Sequence, residues 1–151
     1  VLALGVGFVL VGFAFKVAAA PFHMWTPDVY EGAPTAMTAF MAAAVKAGAF
    51  AAFARVFLEA FAPAAGRWHP VLWWVAVLTM VGGNVVALAQ RNVKRMLAYS
   101  SIAHAGYLTV ALVTNTPRGA SAIVFYLFAY TLATVGSFAV LQALGGSAAG
   151  A

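Results

Sequence analysis

One lysine of this sequence lies where a charged side chain is difficult to accommodate. Lys46 stands in the apolar stretch TAFMAAAVKAGAFAAF, eleven positions after Thr35, and therefore about 17 Å along a helix. That depth is near the centre of a bilayer, where a charged lysine costs about 2.5–3.5 kcal/mol and its stem cannot reach bulk water. A buried amine needs an internal partner or a water path, and it can exchange a proton with either. We therefore expect Lys46 to transfer protons.

Lys16 is the second basic residue that could do chemistry. It lies shortly before Pro21, and proline breaks a helix because it lacks an N–H group and clashes one turn back. Unwound backbone beside a charged side chain is how transporters build ion sites near the midplane. The alternative is that Lys16 simply extends its ammonium group to the membrane surface.

His104 is the third candidate. It stands in AYSSIAHAGYLTVAL, nine positions after Arg95, or about 14 Å along a helix. A histidine exchanges protons near neutral pH, which makes it a natural relay inside a membrane, although it could equally be a hydrogen-bonded core residue. Hydroxyl groups for a hydrogen-bonded chain are close by in the sequence, on Ser100, Ser101 and Tyr107.

The composition restricts the class of protein. Of 151 residues, 65% are hydrophobic and 7% are charged, whereas soluble domains are about 25% charged. The chain could not cover a soluble surface with polar groups, and its 8 basic residues are too scattered to bind nucleic acid. Because there is no cysteine, disulfides, iron–sulfur ligation and thiol catalysis are excluded. The sequence indicates an integral membrane protein.

Apolar segments long enough to cross a bilayer predict an all-α polytopic membrane protein with about five transmembrane helices. We treat residues 1–151 as a single transmembrane domain. Because the chain opens inside an apolar run without a signal-peptide pattern, we expect a segment of a longer membrane protein. The predicted elements are a broken helix and proline-rich loop at 1–34, and transmembrane helices at 35–58, 68–90, 96–114 and 119–144.

The connections between the helices differ in character. PFHMWTPDVYEGAP follows the first helix and holds three of the six prolines, so it should break that helix at its C-terminal end. Around the break lie His23, Trp25 and Tyr30, of which we expect the two aromatic residues to join an interfacial belt. RNVKR joins the third and fourth helices. Lysine and arginine are equally numerous on the two sides, so charge alone does not orient the chain.

Three stretches together carry a family resemblance: the segment around the Pro21 break, the mid-helix lysine of FMAAAVKAGAF, and NVVALAQRNVKRMLAYSSIAHAGYL. They resemble the antiporter-like N subunit of proton-translocating NADH–quinone oxidoreductase, respiratory complex I. The related L and M subunits and the Mrp-type antiporters share the broken helix and the KR-x-LAYS turn. Lys46 and His104 favour the N subunit.

The resemblance implies a fold of inverted helical repeats, each containing a broken helix, of which this segment corresponds to about helices seven to eleven. It implies a proton relay of four residues. Lys16 is then the lysine beside the broken helix, Lys46 the bridging lysine, and Lys94 and His104 belong to the second half-channel. The proline-rich loop and the RNVKR turn would face the cytoplasm. The acidic partner of Lys16 and a later lysine lie outside this sequence.

The function implied is proton translocation driven by quinone reduction elsewhere in the complex. The chain would be a non-redox subunit of the enzyme and bind no cofactor, while the complex uses NADH, FMN, iron–sulfur clusters and quinone. Its partners would be other membrane subunits, lipid and protons, without nucleic acid. We expect it in the inner (plasma) membrane of a cell rather than in an organelle inner membrane.

Three alternatives remain from the residues. The first is an Mrp-type cation/proton antiporter subunit, whose transport would depend on sodium. The second is a haem-binding electron carrier with His23 and His104 as axial ligands, although the two histidines are expected at different depths. The third is a passive structural subunit in which Lys16 and Lys46 only pair with neighbouring helices.

Overall fold

The computed structural model describes residues 1–148, and side chains as far as residue 145. Throughout this described part the regular structure is helical, and four helices are long and apolar enough to cross a membrane, with a shorter apolar helix before them. The predicted all-α membrane fold is confirmed. The helices are α1 (Leu2–Val17), α2 (Trp25–Gly32), α3 (Thr35–Ala60), α4 (Ala65–Leu88), α5 (Val93–Val113) and α6 (Pro117–Ala148).

Two local features differ from the expected layout. The proline-rich loop contains the two-turn helix α2 rather than only irregular backbone. Helix α5 begins at Val93, earlier than the expected residue 96, because the Asn92 side chain accepts hydrogen bonds from the backbone N–H groups of Lys94 and Arg95. A side-chain acceptor at this position supplies partners for donors that a helix start leaves unpaired. Lys94 and Arg95 therefore belong to the first turn of α5.

Polar backbone groups at the break after α1 form hydrogen bonds with side chains of other elements. Ala18 adopts a left-handed conformation with φ 62°, which ends the helix. The Trp25 indole donates a hydrogen bond of 3.1 Å to the Phe15 carbonyl, and the Ala20 N–H donates one of 2.9 Å to Thr79 Oγ1 on α4. Because irregular backbone at membrane depth survives only where its polar groups are satisfied, these bonds make the break stable.

Helices α4 and α5 pack at very short range. A Cβ atom added to Gly106 would lie 2.7 Å from the Met80 backbone nitrogen, and one added to Gly83 would lie 2.7 Å from the Ala103 nitrogen. Small residues allow the backbones of membrane helices to approach in this way. Since His104 lies between these contact points, the crossing fixes the depth of its side chain.

An aromatic cluster joins α1, α3 and α4. The Phe13 and Phe53 rings stack with centroids 4.9 Å apart, and Phe57 meets Phe53 and Trp68 edge-on at 4.9 and 5.3 Å. Such ring pairs contribute about 0.5–1.5 kcal/mol each beyond their buried area. The cluster packs the part of α3 that follows Lys46 against α1 and α4.

The close crossing generates a stability prediction. Gly106→Ala should lower the free energy of unfolding by about 1–3 kcal/mol, because the added methyl group overlaps the α4 backbone and forces the helices apart. Gly136→Ala is the matched control, since nothing lies within 4 Å of its added Cβ. Thermal unfolding of the purified protein in detergent measures both, and equal unfolding midpoints for the two variants would contradict the close-packed crossing.

The closure of the break generates a second prediction. Thr79→Val should destabilise the protein by about 1–3 kcal/mol, because the Ala20 N–H loses its acceptor. Thr109→Val is a matched control: both threonines are fully buried and both donate to the carbonyl four residues earlier, but the described contacts of Thr109 include no donor from the break. If the two variants unfold at the same temperature, Thr79 does not hold the break.

Candidate functional site

The Lys46 amine lies inside the helix bundle. Its residue is only 4% exposed and follows a π-helical turn at Met41–Val45, a feature often found at functional sites. Nζ donates a hydrogen bond of 2.6 Å to the Ser101 carbonyl and a second bond to Ser101 Oγ on α5. The amine also lies 5.7 Å from the centroid of the Tyr130 ring on α6. Three helices therefore meet at this amine.

These partners of Lys46 are electrically neutral. In the described part of the chain, the carboxylates form ion pairs elsewhere: Glu59 with Arg55, and Asp28 and Glu31 with Arg95. A carbonyl, a hydroxyl and a ring face stabilise an ammonium ion less than a carboxylate does, and burial removes its hydration. Among the described residues, the amine therefore lies without a carboxylate partner.

Ser101 connects Lys46 to Tyr130 on α6, whose hydroxyl donates a hydrogen bond of 2.8 Å to Ser101 Oγ. Tyr30 on α2 lies near this centre, where burial raises its pKa and the nearby Tyr130 raises it further. Tyr30 is 2% exposed, so the expectation that it belongs to an interfacial belt is wrong: it reaches inward instead.

His104 is half-buried on α5 and forms its hydrogen bond with α6. Its Nδ1 atom lies 2.6 Å from the Tyr126 hydroxyl, and its ring centroid lies 5.0 Å from that of Tyr130. Of the hydroxyls suggested by the sequence, Ser101 bonds to Lys46, whereas Tyr107 accepts from Asn84 on α4. The partner of His104 is therefore a tyrosine of α6, a helix in which the sequence analysis identified no site residue.

A pocket of about 310 Å³ lies between α5 and α6, and most of the surface that lines it is apolar. Ser101, which bonds to Lys46, and His104 both line this space. Leu97, Phe138 and two alanines form its apolar part. The polar lining consists of Ser100, Ser101, His104, Tyr126, Tyr130, Thr134 and Ser137.

Lys94 lies at the end of α5 that contacts α2. Its Nζ atom donates to the Glu31 carbonyl at 3.1 Å and to the Ala33 carbonyl at 2.6 Å. Beside it, Arg95 Nη1 bonds to Asp28 at 2.7 Å and to Glu31 at 2.9 Å. The proline-rich loop and the RNVKR turn are therefore joined at the same end of the bundle, and Lys94 is part of that junction.

Lys16 and His23 lie near the break, separate from the Lys46 centre. Lys16 is exposed in the last turn of α1, and the described contacts connect it to none of the other predicted relay residues. Burial lowers the pKa of His23, which favours its neutral form. His23 belongs to the break whereas His104 lies mid-helix beside Tyr126, so the structure does not pair them as haem ligands. Among the described residues, no cluster of three His, Asp or Glu side chains could hold a metal ion.

The sequence contained a signal for the α6 hydroxyls that composition and charge did not reveal. Tyr126, Tyr130 and Thr134 are spaced by four residues, which places them on one face of a helix. In a mainly apolar helix, a stripe of hydroxyl groups along one face indicates a polar contact inside the bundle. We therefore add Tyr126 and Tyr130 to the residues of the site.

The comparisons with known proteins agree with this architecture. The family model described as NADH:quinone oxidoreductase/Mrp antiporter, TM, matches residues 1–149. The NADH-quinone oxidoreductase subunit N of Gemmatimonas aurantiaca is 63% identical over 142 residues, which cover 94% of this chain and 27% of the relative. The subunit N of Trichlorobacter lovleyi is 57% identical over 144 residues, 95% of this chain and 30% of the relative.

A solved structure is also similar to this chain. One chain of respiratory complex I from Thermus thermophilus with bound aureothin is similar with a TM-score of 0.79 and 52% identity, over 93% of this chain and 30% of that chain. The sequence thus spans less than a third of the length of these relatives. With nearly the whole sequence matched by the family model, the chain belongs to the NADH:quinone oxidoreductase/Mrp antiporter transmembrane family.

Proposed function

We propose that this chain is the proton-translocating part of an N-type subunit of NADH–quinone oxidoreductase, and that it moves protons through a buried lysine and histidine relay. The observation that carries the proposal is the Lys46 amine, buried near mid-membrane against the neutral groups of Ser101 and Tyr130. A group in these surroundings can gain or lose its charge when a neighbouring charge moves. Quinone reduction elsewhere in the complex supplies that movement.

The relay has a centre and two ends. Lys46 and His104 form the centre, because both lie in the middle of their helices and contact α6. Lys16 serves one end, beside the break, with its partner supplied from outside this sequence. Lys94 serves the other end, at the junction of α5 with the proline-rich loop. Moving one charge against 100 mV requires about 2.3 kcal/mol, comparable to the cost of placing a lysine at mid-membrane.

The surroundings of the chain follow from its relatives. The similar solved structure is a whole respiratory complex I, so we place this chain among other membrane subunits, in a bacterial plasma membrane. We propose that the chain is a subunit that takes no part in the redox reactions of the enzyme. Iron–sulfur clusters would be bound by other subunits, since the chain has no cysteine to ligate them. We assign NADH, FMN and quinone to other subunits of the complex as well.

A second candidate is an Mrp-type cation/proton antiporter subunit, because the family model includes such proteins. A sodium site needs oxygen ligands from carboxylates or backbone carbonyls. In the described part of the chain the carboxylates pair with arginines at helix ends, which favours protons as the transported ion. Proton transport that requires sodium in sealed vesicles would favour the antiporter instead.

Substitution of Lys46 tests the proposal. In a complete subunit carrying this sequence and assembled in its complex, Lys46→Ala should reduce proton transfer at this site on the order of 10²-fold, as for loss of a positioned proton-transfer group. Lys46→Arg should not restore it, because a guanidinium group stays charged. The measurement is vesicle acidification relative to NADH oxidation.

Arg55→Ala is the control for the Lys46 variants, since it removes a charge from the exposed end of the same helix. We expect normal acidification from it. Assembled complexes that acidify vesicles equally with lysine, alanine or arginine at position 46 would refute the proposed relay.

Lys94 requires its own experiment, because its contacts are also those of a structural tie. Lys94→Arg keeps a positive donor for the Glu31 and Ala33 carbonyls but cannot release a proton. If Lys94 is a relay residue, the Lys94→Arg variant should still assemble, but its proton transfer at this step should fall on the order of 10²-fold. Normal pumping by the arginine variant, together with misassembly of Lys94→Ala, would show that Lys94 only holds the α2–α5 junction.

A further inference from the structure

Two tyrosine hydroxyls lie between the amine and the imidazole of the proposed relay. Tyr130 donates to Ser101 Oγ at 2.8 Å, and Ser101 Oγ contacts the Lys46 amine. Tyr126 lies 2.6 Å from Nδ1 of His104. Of the five residues in these bonds, all but Lys46 line the same pocket. Each end of the relay therefore reaches the pocket through a tyrosine hydroxyl.

We propose that Tyr126 and Tyr130, together with Ser101, form a hydroxyl relay that carries protons between His104 and Lys46 across water held in this pocket. The inference rests on the proposed proton-translocating function and names further residues for it. The pocket of about 310 Å³ is lined mainly by apolar surface, but hydroxyl groups and an imidazole also line it, and a buried water needs two to four such polar partners.

The transfer balances at each atom. On the Lys46 side, a protonated pocket water gives a proton to the Tyr130 oxygen. Tyr130 passes its own hydroxyl proton to Ser101 Oγ, and Ser101 passes its hydroxyl proton to the nitrogen lone pair of neutral Lys46. Each oxygen breaks one O–H bond and forms another, so one proton moves from the pocket to the amine and both hydroxyls are restored.

On the His104 side, the same kind of exchange operates. Protonated His104 gives its Nδ1 proton to the Tyr126 oxygen, while Tyr126 releases its own hydroxyl proton to a pocket water. The imidazole becomes neutral and the water becomes charged. The reverse sequence moves a proton from Lys46 to His104, so the charge state of the two ends sets the direction.

Removal of single hydroxyl groups tests the relay. In the complete subunit within its complex, Tyr126→Phe and Tyr130→Phe should each lower vesicle acidification per NADH oxidised to the level of Lys46→Ala. Phenylalanine keeps the ring and therefore the packing of α6. Ser101→Ala should show the same loss, and Ser101→Thr should restore acidification because it returns the hydroxyl group.

Tyr107→Phe is the matched control, since it also removes one tyrosine hydroxyl but from a side chain that bonds to Asn84 outside the pocket wall. It should pump normally. If Tyr126→Phe and Tyr130→Phe both pump normally while Lys46→Ala does not, the hydroxyl relay is wrong and the proposed function stands. Normal pumping by Lys46→Ala as well would overturn both. Recovery by threonine at position 101 would show that the loss in the alanine variant comes from the missing hydroxyl group, and absence of recovery would count against the hydroxyl relay.

Discussion

The contact between the Lys46 amine and Ser101 sets the constraint under which α3, α5 and α6 pack. An ammonium ion in the middle of a membrane must have polar partners inside the protein, and here they come from a carbonyl, a hydroxyl and the face of Tyr130. Because no single helix can supply this set, the three helices must converge at one depth. Lys46 directly follows a π-helical turn of α3, and α5 is held against α4 by the close contacts of Gly83 and Gly106.

The need for polar partners inside the protein also explains the contacts at the end of the bundle where the break lies. Unwound backbone inside a membrane exposes polar groups that lipid cannot satisfy, and Thr79 and Trp25 provide the missing partners. Arg95 and Lys94 then tie the loop after the break to α5. Tyr30 of this tied loop packs in a buried cluster with Ala42, Ala98 and Phe138, which joins the loop after the break to α3, α5 and α6.

Much of the fold followed from the sequence, because apolar length and charge placement report membrane helices directly. Lys46 and His104 could be identified as unusual from their depth alone. Their partners could not, since a hydrogen bond between Lys46 and Ser101 depends on how α3 and α5 pack, and apolar composition does not specify packing partners. Tyr30 was misassigned for the same reason: its aromatic ring suits an interface, but the short helix α2 turns it inward.

The central claim is that the Lys46 amine gives up its charge inside the membrane. Nitrogen-15 NMR of the lysine-labelled complete subunit in lipid tests this directly, because an ammonium and a neutral amine give distinct signals, and the Lys46→Arg variant identifies the signal of position 46. The account predicts that this nitrogen passes between the two forms within the pH range in which the complex pumps protons. An ammonium signal that persists through the whole of that range would contradict it.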